Sequence, residues 1–277
     1  MKKVIRDATY YIERKGSGEP LVLLHGFTGD HTTWKAVEDS LLNYELILID
    51  ILGHGQTSSP ANYERYRMEE VVEDLRVLLE ELALEAVHLL GYSMGGRLAL
   101  SFAMTYPHKV KSLILESSSP GLRTDEEREF RRQSDERLAN EILENGIESF
   151  VDKWEDIPLF QSQKSLSAEI RNQIRKQRLQ NNPIGLANSL RGMGTGFQPN
   201  YWKRLDELMC PVYIICGEKD EKFCRIGKQM SEHLIHATFT IVPKVGHAVH
   251  VEDSRFFGKI VNEFIHFVTN NDRKRLQ

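Results

Sequence analysis

Val87-His88-Leu89-Leu90-Gly91-Tyr92-Ser93-Met94-Gly95-Gly96-Arg97 is the stretch on which the fold turns, and it runs into an apolar segment from Leu98 to Met104. Val87 to Leu90 is too short for a helix and reads as a buried strand, whereas Leu98 to Met104 reads as helix. Between them stands a serine flanked by glycines. A serine on a tight strand-to-helix turn needs such neighbours, because the turn brings backbone segments too close for side chains. What results is an exposed Oγ beside a helix N-terminus, the arrangement of a nucleophile elbow. A bare G-x-S-x-G arises by chance, so the weight lies in the strand before it and the helix after it.

Working outward, the same strand-then-helix rhythm extends along most of the 277 residues. Leu21 to Leu24, Leu46 to Ile49, Leu113 to Leu115, Val212 to Cys216 and Phe239 to Val242 are short apolar runs, mostly without period-2 alternation, as buried parallel strands are. Ala8 to Ile12 reads as an edge strand. Met68 to Leu82 carries apolar residues at helical spacing, and a last helix is expected near Phe256 to Val268. From Gly121 to about Arg204 the rhythm stops: no strand is evident, only charged, helix-favouring segments punctuated by Pro158, Pro183 and a glycine-rich turn at Gly192 to Gly196. This predicts an α/β core in two pieces, 1–120 and 205–277, with a helical cap at 121–204 inserted between them.

A strand-end serine needs a general base, and the base needs a carboxylate to hold its tautomer. Val245-Gly246-His247 follows the last strand, which makes His247 the best base of the ten histidines, with His250 and His266 read as packing or surface residues. Gly217-Glu218-Lys219-Asp220 follows the strand Val212 to Cys216 and offers Asp220 as the acid, with Glu218 and Glu116 as alternatives. Leu24-His25-Gly26-Phe27 ends the first core strand, so the Phe27 N–H can join that of Met94 in an oxyanion hole. His25, Asp50 and His54 read as architectural. Arg97 is unexpected, because the first turn of a helix disfavours a cation; either an anionic substrate group or a buried carboxylate compensates it. Arg171, Arg175 and Arg178 share one helical face at i, i+4 and i+7, the usual pattern of a solvated stripe. Trp154 and Phe160 either line a pocket or dock the cap.

Composition closes off other classes. Hydrophobic residues at 40%, charged residues at 27% and a mean hydropathy of −0.41 describe an ordinary globular chain. The net charge of −4 gives no whole-molecule attraction to nucleic acid or an anionic membrane. No apolar run approaches membrane-spanning length and the N-terminal stretch lacks a signal-like apolar core, so a cytoplasmic protein is expected. Cys210, Cys216 and Cys224 match neither a disulfide framework nor a metal pair. No metal or cofactor is expected. The charge is unevenly spread: residues 121–160 carry −6, residues 161–204 carry +7, and the rest carries −5.

These segments resemble the α/β-hydrolase superfamily and, within it, the 2-succinyl-6-hydroxy-2,4-cyclohexadiene-1-carboxylate synthases of menaquinone biosynthesis. The likeness rests on Leu23 to Gly29, Gly91 to Arg97, Ser119-Pro120-Gly121-Leu122, Arg131-Arg132-Gln133-Ser134-Asp135 and Gly217 to Phe223. It implies an α/β-hydrolase fold, a mostly parallel sheet flanked by helices with an inserted helical cap. It also implies Ser93, Asp220 and His247 as triad, and Tyr92, Arg97, Arg131, Arg178, Trp154 and Phe160 as substrate-binding residues. Arg191 and Gln198 look family-like without an assigned role. The substrate implied is a small tricarboxylate, whose three anions call for arginines, since guanidinium groups pair with carboxylates bidentately. The reaction implied is elimination of pyruvate with Ser93 as base. The residues alone leave two rivals open: a carboxylesterase or carbon–carbon bond hydrolase with the same triad, and a noncatalytic hydrolase-like scaffold.

Overall fold

The computed structural model describes residues 1–275, with side chains described through Asn270. Eight strands, β1 (Lys2–Ile5), β2 (Ala8–Lys15), β3 (Pro20–Leu24), β4 (Glu45–Ile49), β5 (Val87–Tyr92), β6 (Val110–Glu116), β7 (Val212–Gly217) and β8 (Ala237–Val242), form one sheet in the order β1-β2-β4-β3-β5-β6-β7-β8. All pairs from β4 to β8 are parallel; β1 with β2 and β2 with β4 are antiparallel. The edge is therefore β1, and β2 lies inside the sheet, which corrects the expectation of an edge strand at Ala8 to Ile12. Lys2-Lys3-Val4-Ile5 buries only Ile5 fully, so its sequence carries almost no apolar signal.

Successive residues of the inner strands enter opposite apolar layers. Val22 and Leu24 belong to the layer covered by α2 (Met68–Glu81), α3 (Met94–Thr105) and α7 (Glu221–His233), while Leu21 and Leu23 face α1 (Lys35–Leu41) and α9 (Ser254–Arg275). Both faces are buried, which is why these strands read as continuous apolar runs.

Among the described residues, 121–204 contain no strand. They hold α4 (Asp125–Trp154), α5 (Ala168–Leu179) and α6 (Pro183–Met193), with a short 3-10 helix at Pro158–Ser165 and another at Trp202–Glu207 that leads back into the core. A capping box starts α4: Thr124 accepts from the Glu127 N–H and Glu127 returns to the Thr124 N–H. Gly146, at φ 79°, breaks α4 and lets its last turns bend back. Ala139, Ile142, Phe150 and Val151 of α4 pack on Leu186, Ala187 and Leu190 of α6 in a separate apolar cluster. The short α8 (Val249–Glu252) follows the loop that carries His247.

Candidate active site

Ser93 adopts φ 51° and ψ −106°, a strained backbone for a residue with a side chain. The turn is tight enough that a Cβ on Gly91 would lie 2.4 Å from the Gly95 carbonyl oxygen, and one on Gly95 would lie 2.1 Å from that of Leu24. Ser93 is held there by its N–H, which donates to the Glu116 carbonyl at 2.8 Å. Glycine at these positions is thus a packing requirement that presents the serine hydroxyl above the sheet.

Three chain segments meet at that hydroxyl. His247 Nε2 lies 3.0 Å from Ser93 Oγ, and His247 Nδ1 lies 2.5 Å from Asp220 Oδ2. This suits an Nδ1–H donating to Asp220 while Nε2 accepts from the hydroxyl. Asp220 also caps α7, its Oδ1 accepting from the Phe223 N–H at 3.3 Å, so one carboxylate fixes both a helix start and the imidazole. Rings of Tyr92, Phe160 and Phe223 surround His247 at 5.3, 6.2 and 4.8 Å. The two alternative acids are engaged elsewhere. Glu116 is fully buried against the His250 N–H and Nδ1, and Glu218 accepts from the Lys244 N–H.

The Phe27 N–H, at the end of β3, has no intramolecular partner among the described residues. Met94 is the first residue of α3, where backbone N–H groups have no helical acceptor. Around them the histidines and acids are structural. His25 Nε2 accepts from the Ile51 N–H and its Nδ1 donates to the Gly26 carbonyl, while Asp50 accepts from the backbone of His31 and Gln56. Burial pushes the His54 imidazole down to about 3, so it stays neutral at pH 7. Asp30, His31 and Asp50 lie close together, but hydrogen bonds within that corner already engage their polar atoms.

Arg97 has no direct carboxylate partner among the described residues. Its Nη1 donates to the Met193 carbonyl at 2.6 Å and, more loosely, to Gln198 Oε1 at 3.5 Å. Gln198 is itself fully buried and donates to the Ser119 carbonyl, which fixes the amide that faces the guanidinium. Part of the Arg97 side chain stays exposed, yet desolvation and the nearby Arg131 lower its pKa to about 10, so the cation persists at neutral pH. Arg131 donates to buried Asp135 at 2.8 Å. Asp135 Oδ2 has no hydrogen-bond partner, and burial raises this carboxyl above its ordinary pKa.

The cap arginines separate. Arg178 is buried 4.7 Å above the Phe160 ring, with one long hydrogen bond to Gln163 Oε1 at 3.5 Å and the Glu155 carboxylate 3.9 Å away. Arg175 pairs with Asp152 of α4 and with Glu155, the residue after its last turn, and Arg171 is exposed. So the stripe divides, with one member inside and two outside. Trp154 sits between Phe27, Phe150 and Phe160 at 5.5, 5.4 and 5.9 Å, and its indole N–H has no partner. Arg191 pairs with Glu136 on the surface. Gln163 and the Met193 carbonyl carry no sequence signal, whereas Asp135, four residues after Arg131 on a helix, was open to detection as an ion-pair partner.

The alpha/beta hydrolase fold family matches this chain over residues 19–254. A Bacillus subtilis (strain 168) protein provisionally named 2-succinyl-6-hydroxy-2,4-cyclohexadiene-1-carboxylate synthase is 53% identical over 91% of this chain and 92% of its own length. The synthase of that name from Photorhabdus laumondii is 31% identical over 88% of this chain and 84% of its own. Among solved structures, MenH from S. aureus superposes with a TM-score of 0.89 at 38% identity, covering 94% of this chain and 98% of that one. A thermophilic esterase from Thermogutta terrifontis, with malate bound, gives a TM-score of 0.83 at 27% identity, covering 94% of each chain.

Proposed function

The chain belongs to the alpha/beta hydrolase fold family and, within it, to the 2-succinyl-6-hydroxy-2,4-cyclohexadiene-1-carboxylate synthases, and from that membership and the site's geometry we propose how it works. It is a carbon–oxygen lyase that eliminates pyruvate from 2-succinyl-5-enolpyruvyl-6-hydroxy-3-cyclohexene-1-carboxylate in menaquinone biosynthesis. Ser93, activated by His247 and Asp220, takes the ring proton at C2, next to the succinyl ketone. The electrons form C2=C3, the ring double bond shifts to C4=C5, and the C5–O bond breaks. The departing enolpyruvate is protonated to pyruvate. No acyl-enzyme is needed, and the N–H groups of Phe27 and Met94 steady the charge that develops on the ketone oxygen. Residues 1–120 and 205–277 supply this machinery, and 121–204 close over it as a cap. The enzyme acts in the cytoplasm on a soluble trianion.

The observation that carries the reading is Arg97: a desolvated cation one turn behind the nucleophile, satisfied only by neutral oxygens. A neutral ester gives such a group nothing to bind, whereas a carboxylate adds a charge-assisted pair. Arg131 near it and Arg178 beside Tyr92 and Phe160 supply the further cations, and Tyr92, Trp154 and Phe160 wall the ring. The purified enzyme is expected to release pyruvate stoichiometrically, read by a lactate dehydrogenase couple, and Ser93→Ala to lower the rate by about 10⁴ or more. The hydrolase alternative is favoured by the esterase likeness. Rapid turnover of p-nitrophenyl esters without pyruvate release from the enolpyruvyl compound would establish it and remove the synthase reading.

A further inference from the structure

A cavity of about 430 Å³ opens between α5 and the corner formed by Thr28 to Ala36. Its inner end is walled by buried Gly26, Tyr92, Phe160 and Arg178. At its outer end stand the exposed residues Lys35, Gln173, Lys176 and Gln180, so it links solvent to the edge of the Ser93 site. Ser93, Arg97 and Arg131 do not line it.

Its charge is one-sided. Lys35, Lys176 and Arg178 line it and no Asp or Glu does, although the chain as a whole is acidic. Neither lysine is ion-paired among the described residues, whereas Arg175, next to Lys176 on α5, is neutralised by Asp152 of α4 and by Glu155 just after it. The carboxylates behind its walls are engaged: Asp30 Oδ1 accepts from Thr32 and, at 2.6 Å, from Gln177 Nε2, Glu116 is bonded to His250, and Glu155 is shared between Arg175 and Arg178. Gln177 also reaches the Thr32 and Thr33 hydroxyls, which pins α5 to the corner and keeps the walls apart as a fixed feature. A conduit with fixed walls and unpaired cations raises the local concentration of anions.

We propose that this passage is the route by which carboxylate anions enter and leave the Ser93 site, with Lys35 and Lys176 as an outer receiving station that hands them to Arg178. The proposal rests on the anionic substrate class assigned above and adds two residues, both outside the catalytic machinery, to its recognition. A trianion feels each station charge three times over, so reversing two lysines changes its local concentration strongly at low salt and little at high salt.

The test compares two double variants of equal charge change. Lys35→Glu with Lys176→Glu alters the passage; Lys203→Glu with Lys228→Glu alters exposed positions elsewhere. Pyruvate release by the passage pair is expected to show a fall of about tenfold in kcat/KM at low ionic strength, converging on wild type near 0.5 M salt, with kcat unchanged. The control pair is expected to change less than twofold. Equal falls in both pairs, or a fall in neither, would overturn the passage. If the wild-type enzyme releases no pyruvate, the synthase reading fails on its own, and citrate affinity by calorimetry then reads the passage. Loss of affinity in the passage pair alone supports it; equal affinities in the two pairs, or no binding of citrate to wild type, overturns it.

Discussion

Two arginines border the candidate site, and the protein holds them in opposite ways. Arg97 is built into the fold: it grips the carbonyl that ends α6 and an amide tied to the Ser119 backbone. Arg178 is held loosely, over an aromatic face, at the limit of hydrogen-bond reach from Gln163 and 3.9 Å from the Glu155 carboxylate. Burial disfavours the charge on both. On the proposed reading the difference means that Arg97 is oriented before substrate arrives, whereas Arg178 keeps coordination free for an anion. Preorganised charge acts on the transition state, and adaptable charge acts mainly on binding.

Arg97→Ala is the strongest way to break that comparison. On the proposed reading it removes the cation that pairs with a substrate carboxylate, and it leaves the Met193 carbonyl and the Gln198 amide without their donor, so kcat/KM is expected to fall by about 10³, shared between kcat and KM. Arg97→Lys keeps the charge but not the planar fork, and is expected to recover only part of the loss. A change in KM alone would show that Arg97 binds without orienting. Arg178→Ala is the milder counterpart. Its contacts in the free enzyme are a cation–π stack, one long hydrogen bond and a 3.9 Å ion pair with Glu155, all at the weak end of their range, so thermal stability should stay within about 2 °C of wild type. KM is expected to rise about tenfold to a hundredfold with a smaller change in kcat. Equal kinetic effects at the two arginines would erase the distinction between them.

The Arg97 side also shows what sequence can and cannot tell. The elbow was legible because its constraint is local: Gly91, Ser93 and Gly95 lie within five residues, and the short turn needs all three. The meeting of Asp220 and His247 at Ser93 was legible because strand ends in order Ser, Asp, His fix where loops emerge. The partners of Arg97 were not, since Met193 and Gln198 come from the end of the inserted helices, some hundred residues further along, and no pattern in either segment announces the meeting. The same holds for α5. Helical spacing put Arg171, Arg175 and Arg178 on one face, but only packing decides that Arg175 meets Asp152 and Glu155 while Arg178 turns inward. The edge strand was missed for a different reason: β1 is half-exposed and lysine-rich, which hides it from an apolar search and also protects the sheet edge.

The smallest expected effect sharpens the comparison from within the Arg97 side. Asp135 sits beside Arg131 and within the field of Arg97, and the two cations do not offset its desolvation, since its pKa remains raised. An acid whose folded pKa is raised holds its proton more tightly when folded. Its ionised form therefore costs stability above that pKa, and the cost lifts as pH falls through it toward the ordinary carboxyl range. Asp135→Asn keeps an acceptor for Arg131 Nε and removes the charge, so a rise in Tm of about 2 °C is expected near pH 8, vanishing near pH 4. If Arg97 and Arg131 bind substrate carboxylates as proposed, removing the anion beside them is also expected to lower KM about twofold. A Tm that drops equally at both pH values would instead make Asp135 the clamp that sets Arg131, and the preorganisation of this side would then rest on a carboxylate as well as on the Met193 carbonyl and Gln198.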